Sequence, residues 1–245
     1  MPETVFWCIS EVGSFPPGLY ASSLLHPAEL ERFKGMKIPK RREEWLHGRL
    51  TAKRLLTAPG QLFFNTPFNH IHIENHIEGA PFIAAPAFPG CNLSISHRDT
   101  LATVVYAQEP DIHIGVDLEK IESRAWAFVE DFFTPEEYVY ARSLPENEKN
   151  LWVTLAWSAK EAILKVWQKG LRLDTRSVEI LPTSSELLAA PISDWQPLSW
   201  RSHLPEYPDC WLYWQPYGDY IVTMAGEIKK GDSSSEPPNI QKINL

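Results

Sequence analysis

A chain of 245 residues that is 44% hydrophobic and 12% aromatic, with ten Trp, has ample material for a folded core and excludes extended disorder. Its net charge of −8 excludes a broad basic surface for a long nucleic acid, yet nine Lys/Arg against three Asp/Glu fall between Glu31 and Arg54. That is one local cationic patch, of the kind a small phosphorylated ligand needs.

The predicted elements run as follows. Thr4 to Ile9, TVFWCI, reads as a strand of bulky and β-branched residues. His26 to Phe33 reads as a short helix, and Lys40 to Leu56 as a longer one closed by Pro59-Gly60. Asn69 to Ile83 reads as a hairpin with HIHIE as its first strand and a turn near Asn75 or Gly79. CNLSIS and LATVVYA follow as strands around His97-Arg98-Asp99, and Glu109-Pro110-Asp111 marks a lobe boundary. DIHIGVDLE is a further strand, followed by helices from Arg124 to Phe133, Pro135 to Ser143 and Glu146 to Gln168. RSVEIL, CWLYWQP and DYIVTMAG are late strands, and the polar, Pro/Ser-rich stretch from Gly231 is expected to be a loosely attached tail. The expected class is α+β in two similar lobes, 1–110 and 111–228, each a small, mainly antiparallel sheet packed on a long helix, with 229–245 as the flexible tail. No apolar run approaches the ~20 residues of a membrane span. The N-terminus lacks the basic region and cleavage site of a leader. Cys8, Cys91 and Cys210 are too scattered for a disulfide framework or a metal knuckle, so the expected location is cytoplasmic.

Side chains alternate along a strand, so Gly115, Asp117 and Glu119 share one face of IHIGVDLE while Ile114, Val116 and Leu118 share the other. Two carboxylates spaced in this way suit joint coordination of a cation, and the glycine leaves room for close approach; a solvated sheet face would have the same pattern. On the helix beginning at Glu146, a turn of about 100° per residue gathers Trp152, Leu155, Ala156, Ala159, Ile163, Val166 and Trp167 on one apolar arc. Thr154, Ser158, Glu161 and Lys165 fall on a second, narrower arc. The Glu161–Lys165 spacing serves equally an exposed i,i+4 pair or a carboxylate for a metal beside an ammonium for a phosphate.

Ile114-Gly115-Val116-Asp117-Leu118-Glu119, followed some forty residues later by Trp157-Ser158-Ala159-Lys160-Glu161-Ala162-Ile163-Leu164-Lys165, resembles the paired signature of the 4′-phosphopantetheinyl transferases, in the long surfactin-synthetase-activating (Sfp) form. FFTPEEY, Lys169-Gly170-Leu171, the SISH of Ser94 to His97 and the RREEWLHGRLTAK run fit the same pattern, which covers roughly Pro27 to Ile180. The resemblance implies transfer of the phosphopantetheine arm of coenzyme A to a serine of an acyl or peptidyl carrier protein, with release of 3′,5′-ADP. It also implies two lobes about a pseudo-two-fold axis. By position, Asp117, Glu119 and Glu161 are then the Mg²⁺ ligands, Lys165 contacts the pyrophosphate, and Glu161 takes the serine proton directly or through water. Oxygen-only donors suit Mg²⁺ better than Zn²⁺. Arg42, Arg49 and Lys53 cluster within about 40° of one helix face and would grip the coenzyme phosphates, with Ser96 and His97 beside them. In one departure, the Gly-Lys-Pro frequent in the family is Gly79-Ala80-Pro81 here, which removes a cationic contact.

His70, His72 and His76 fit no zinc pattern and read as surface-strand residues. The segment Ile121 to Phe133, with Arg124, Trp126, Phe128, Phe132 and Phe133, is a candidate carrier-docking surface or simply core. The expected partner is an apo carrier protein of fatty acid, polyketide or nonribosomal peptide synthesis, with no nucleic acid, no membrane and a monomeric enzyme. Two competing readings are a relative that binds coenzyme A or a carrier without catalysis, and a Mg²⁺-dependent pyrophosphate hydrolase.

Overall fold

The computed structural model describes residues 4–12, 21–85, 91–107, 109, 112–181, 194–228 and 238–245. In chain order the first half holds β1 (Thr4–Glu11), α1 (Ala21–Leu24), α2 (Pro27–Gly35), α3 (Pro39–Thr57), β2 (Ile73–Asn75), β3 (Pro81–Ile83), β4 (Leu93–Arg98) and β5 (Leu101–Ala107). The second half holds β6 (Ile114–Lys120), α4 (Trp126–Phe132), α5 (Pro135–Ser143), α6 (Glu146–Val166), β7 (Val178–Ile180), β8 (Gln196–Pro197), β9 (Trp200–Ser202), β10 (Cys210–Tyr217), β11 (Tyr220–Glu227) and β12 (Asn239–Lys242). The architecture is mixed α+β, and it divides into two units between His113 and Ile114, three residues beyond the boundary read from the sequence. Among the described residues no helix is long and apolar enough to cross a membrane.

The first unit is a four-stranded sheet in the order β12-β1-β5-β4 with α3 packed on it. β5 runs antiparallel to both neighbours, with Val5 opposite Ala107 and Leu93 opposite Tyr106. The expected flexible tail is corrected in part: Asn239–Lys242 pairs parallel with β1, Thr4 opposite Asn239 and Trp7 opposite Lys242. The strand edge left open by β1 supplies the hydrogen-bond partners that the polar, Pro/Ser-rich composition conceals, and Ile243 N adds one more bond to Trp7 O. β2 and β3 form the predicted hairpin, although Phe68–His70 is a 3₁₀ turn and the strand starts only at Ile73. Gly79 closes its turn at φ +100°, a conformation that glycine adopts without strain.

The second unit is a four-stranded antiparallel sheet in the order β6-β11-β10-β8 covered by α6. The apolar arc predicted on this helix is the one that packs. Trp152, Leu155, Ala156, Ala159, Ile163, Val166 and Trp167 are buried in one cluster with Leu212, Trp214, Ile221 and Ala225 of the sheet. Each large side chain so buried contributes about 1.5–3 kcal/mol. Phe133 joins this core, and Phe128 and Phe132 meet the Trp157 ring edge-on at 4.9 and 5.2 Å. Those aromatics are therefore largely spent on packing.

Each unit carries the same internal pin. In the first, Glu29 sits at the third position of α2, accepts the N–H of the capping residue His26 at 2.9 Å and that of Ile73 at 3.3 Å, and pairs with Lys53 of α3. In the second, Glu137 sits at the third position of α5, accepts the N–H of the capping residue Thr134 at 2.7 Å and that of Ile180 at 2.7 Å, and pairs with Lys160 of α6 at 2.8 Å. The ammonium groups also donate to carbonyls, Lys53 to Leu24 O at 3.1 Å and Lys160 to Thr175 O at 3.1 Å. All four side chains are at most 2% exposed. Burial pulls both lysine pKa values down and the glutamates oppose it. Such a pair persists in a low-dielectric interior only when its remaining donors and acceptors are satisfied, as these are. One consequence overturns an expectation. Lys53, placed by the helical wheel beside Arg42 and Arg49 for the coenzyme phosphates, has no access to a ligand because Glu29 holds it in the core.

Candidate active site

The acidic cluster is built where β6 runs beneath α6. Alternation along β6 turns Gly115, Asp117 and Glu119 toward the helix, so this face is covered rather than solvated. Gly115 is what allows the helix to lie so close, since a Cβ there would stand 2.0 Å from Ala162 O and 3.0 Å from the Lys165 Cβ. Gly115→Ala is therefore expected to push α6 outward and destabilise the fold by about 1–3 kcal/mol. A urea midpoint equal to that of the parent would show that the helix backbone yields without cost.

Asp117 is the centre of the cluster and is 2% exposed. Its Oδ2 accepts from Ser158 Oγ at 2.8 Å, and Ser158 is in turn 2.8 Å from Thr223 Oγ1 on β11. Its Oδ1 accepts from Lys165 Nζ at 2.8 Å, and the same ammonium donates to Val116 O at 2.8 Å. Glu161, one helical turn before Lys165, lies near enough to Asp117 for the two carboxyl charges to oppose each other. Burial, then the Asp117 charge, pushes the Glu161 carboxyl up to about 8, with Lys165 acting the other way. Burial works against the Lys165 ammonium, but Asp117 and Glu161 outweigh it and hold its pKa above the ordinary lysine value. The second arc of the helix thus delivers Ser158, Glu161 and Lys165 to one carboxylate. Glu161 and Lys165 also line a narrow cleft of about 30 Å³ with Leu164, Gly170 and Leu171.

Glu119 lies on the same face, where its charge acts on both Glu161 and Lys165, and it has further partners. Its Oε1 accepts from the Trp157 indole at 3.2 Å and its Oε2 from Arg124 at 3.0 Å. Among the described residues no group of three or more His, Cys, Asp or Glu side chains is gathered as a ready metal-ligand set. The donors that do converge, the Asp117 and Glu161 carboxylates with the Ser158 hydroxyl behind them, are all hard oxygens, the chemistry that fits Mg²⁺.

In the first unit a buried contact between β1 and α3 is made by neutral groups. Ser10 of β1 lies 2.6 Å from Thr51 Oγ1 and 3.0 Å from His47 Nε2. Thr51 precedes the pinned Lys53 by two residues, as Ser158 precedes Lys160. Burial, with His97 nearby, lowers the His47 pKa to about 4, so this imidazole is neutral. His47 and His97 line a cavity of about 390 Å³ together with Lys40, Glu43 and Glu44. Ser96 is buried and His97 exposed on β4. Arg42 lies over the Phe33 ring at 5.4 Å. Arg49, only 3% exposed, donates to Asn75 Oδ1 and lies 5.2 Å from the Trp45 ring; burial lowers its pKa to about 10. Arg32 donates to the same Asn75 oxygen at 2.9 Å, and Asn75 Nδ2 reaches back to Gly79 O at 2.6 Å. Two guanidinium groups thus converge beside the hairpin turn that lacks the family lysine. Arg32 belonged to the basic run, but nothing in its helical phase singled it out. The histidines of the hairpin stack on rings instead of converging on an ion, His72 on His26 at 4.4 Å and His76 on Phe82 at 4.2 Å.

The sequence model of the 4′-phosphopantetheinyl transferase superfamily matches residues 113–225. Among characterised proteins, the L-aminoadipate-semialdehyde dehydrogenase-phosphopantetheinyl transferase of Homo sapiens is 27% identical over 72% of this chain and 60% of its own length. The 4′-phosphopantetheinyl transferase HetI of Nostoc sp. is 29% identical over 69% of the chain and 71% of its own, and the 4′-phosphopantetheinyl transferase Sfp of Bacillus subtilis 26% over 66% and 74%. The chain spans about 60% of the length of the first curated relatives it matches. The segment 113–225, which contains Asp117, Glu119, Ser158, Glu161 and Lys165, is a domain of the 4′-phosphopantetheinyl transferase superfamily.

Proposed function

We propose that this protein transfers the 4′-phosphopantetheine arm of coenzyme A to a serine hydroxyl of an apo acyl or peptidyl carrier protein and releases 3′,5′-ADP. The observation that carries the reading is the buried Asp117 carboxylate held at once by Lys165 and Ser158, with the Glu161 carboxyl close enough to feel its charge, within the superfamily domain. Asp117 and Glu161 are the residues that would hold Mg²⁺. When bound there, the cation supplies the neutralisation that lets an oxygen nucleophile approach a diphosphate. Ser158 and Thr223 orient Asp117 through a chain of hydroxyl hydrogen bonds, so the carboxylate is aimed before any ligand arrives. Lys165 adds a point charge that offsets negative charge developing on the leaving phosphate. Glu161 is placed to receive the serine proton as the new oxygen–phosphorus bond forms and the diphosphate bond breaks, directly or through a water. Arg32 and Arg49 bind a coenzyme phosphate. We place the enzyme in the cytoplasm, as a monomer serving carriers of fatty acid, polyketide or nonribosomal peptide synthesis.

The test mixes protein, coenzyme A, Mg²⁺ and an apo carrier and weighs the carrier by mass spectrometry. One added phosphopantetheine per carrier, dependent on all three additions, is the expected result. Cleaved coenzyme A with an unmodified carrier would replace the reading with a diphosphate hydrolase. Coenzyme binding without turnover would leave only a binding protein.

A further inference from the structure

We propose that the turn after α6 is the surface on which the acceptor protein sets its serine: an apolar side chain beside that serine rests on Leu171, and acidic side chains around it face Lys169 and Arg172. The inference rests on the transferase reading above and names the acceptor surface for it. A hydroxyl that gives its proton to Glu161 has to come within about 3 Å of that carboxyl, or one water further away. The cleft that Glu161 and Lys165 line shares its walls with Leu164, Gly170 and Leu171. A macromolecule that delivers such a hydroxyl therefore covers Leu171 as it arrives. Leu164 is buried, but Leu171 is 62% exposed. The turn that carries it is fixed. Gln168 N donates to Lys165 O at 3.0 Å and Lys169 N to Leu164 O at 3.1 Å, which closes the helix, and Leu173 N donates to Gly170 O at 3.3 Å. Gln168 and Gly170 take the left-handed conformation, at φ +55° and +53°, that reverses a chain at a helix end. An apolar side chain on so fixed a turn costs little ordering when a partner covers it. A single exposed leucine is ordinary on a protein surface; the reaction cleft beside this one and the charge around it set it apart. Gln168 to Leu173, QKGLRL, carries two cations and no carboxylate in a chain of net charge −8, and both cations are exposed. The next carboxylate, Asp174, is engaged by Arg176 at 2.7 Å. Such a turn complements an acidic protein surface. The other candidate for docking, Ile121 to Phe133, is committed elsewhere: Phe133 to the core, Phe128 and Phe132 to Trp157, and Arg124 to Glu119 at 3.0 Å.

The experiment measures initial rates of carrier mass gain with the full chain, first varying the apo carrier at saturating coenzyme A and Mg²⁺, then varying coenzyme A, with circular dichroism melts to verify folding. Leu171→Ala is expected to lower kcat/KM for the carrier by roughly tenfold, mostly through KM, and to leave KM for coenzyme A unchanged. Lys169→Glu combined with Arg172→Glu should lower it by roughly the same factor at low salt and flatten its decline as salt is raised. On the carrier, replacing the apolar residue beside the serine by Ala should cost about tenfold with the parent enzyme but less than about threefold with Leu171→Ala, because the two side chains meet. A carrier kcat/KM within about twofold of the parent in Leu171→Ala, or enzyme and carrier losses that multiply independently, would overturn the proposal. A raised KM for coenzyme A at an unchanged carrier KM would assign Leu171 to the pantetheine arm and overturn it as well. The carrier substitutions require no change in this chain and decide the matter even if a turn variant fails to fold: a carrier stripped of that apolar residue and its acidic neighbours, yet modified at the parental rate, has no use for the turn. Absence of carrier modification by the parent would overturn the transferase reading and this proposal with it. A parent that modifies the carrier, with no effect of any turn variant, would overturn this proposal alone.

Discussion

Asp117→Asn is expected to slow carrier modification by about three orders of magnitude, equivalent to ~4 kcal/mol of lost transition-state stabilisation, while the fold survives. The substitution keeps shape and most hydrogen bonding. The amide still offers an oxygen to Ser158 or Lys165, and the charge it removes also relieves repulsion on Glu161. What is lost is the anionic oxygen around which the cluster is organised, and a neutral amide is a much weaker ligand for a hard cation. Initial rates of carrier mass gain, measured beside a circular dichroism melt, separate the two effects. A rate within tenfold of the parent at an unchanged melting temperature would remove Asp117 from the reaction.

Glu137→Ala is expected to lose about 3–5 kcal/mol of stability, because it strands the Lys160 ammonium in the core and removes the acceptor of the Thr134 and Ile180 amides. That is a large share of the ~5–15 kcal/mol by which a typical domain is stable. Glu29→Ala should behave alike in the first unit, through Lys53 and the amides of His26 and Ile73. Urea unfolding gives the comparison directly. The double replacement Glu137→Leu with Lys160→Met should recover much of the loss, since it removes both charges together. A single variant that unfolds at the parental midpoint would mean that water or another group reaches the ammonium.

Long-range pairing explains what was legible in the sequence and what was not. Alternation along β6 and the helical phase of α6 are local properties, and they placed Asp117, Ser158, Glu161 and Lys165 on facing surfaces. Whether those surfaces were covered or wet depends on β11 and α6 closing over β6, which no window of the sequence contains. Lys53 failed for the same reason. Its helical phase matched that of Arg49, but its partner Glu29 lies 24 residues away, on α2. A signal did exist in the two sequences His26-Pro27-Ala28-Glu29 and Thr134-Pro135-Glu136-Glu137, each a capping residue, a proline and a glutamate at the third helical position. Each is followed by a helix with a lysine at nearly the same distance, and comparing the two would have marked both lysines as structural. Glu119 and Arg124 are close in sequence, yet their pairing depends on Phe128 and Trp157, brought together by α4 and α6. The C-terminal strand was hidden by composition, because its role is set by the open edge of β1 rather than by its own side chains.

That strand has a consequence for the order of events on the ribosome. The second unit draws its sheet from one continuous stretch, 114–227, and has all its strands once β11 has emerged. The first unit has three of its strands by Ala107 but receives β12 only about 130 residues later. At about 5–20 residues per second that delay is on the order of ten seconds. The half made first is therefore finished last, with β1 bearing an open edge throughout the interval, where a neighbouring nascent chain or a holding chaperone finds its opportunity.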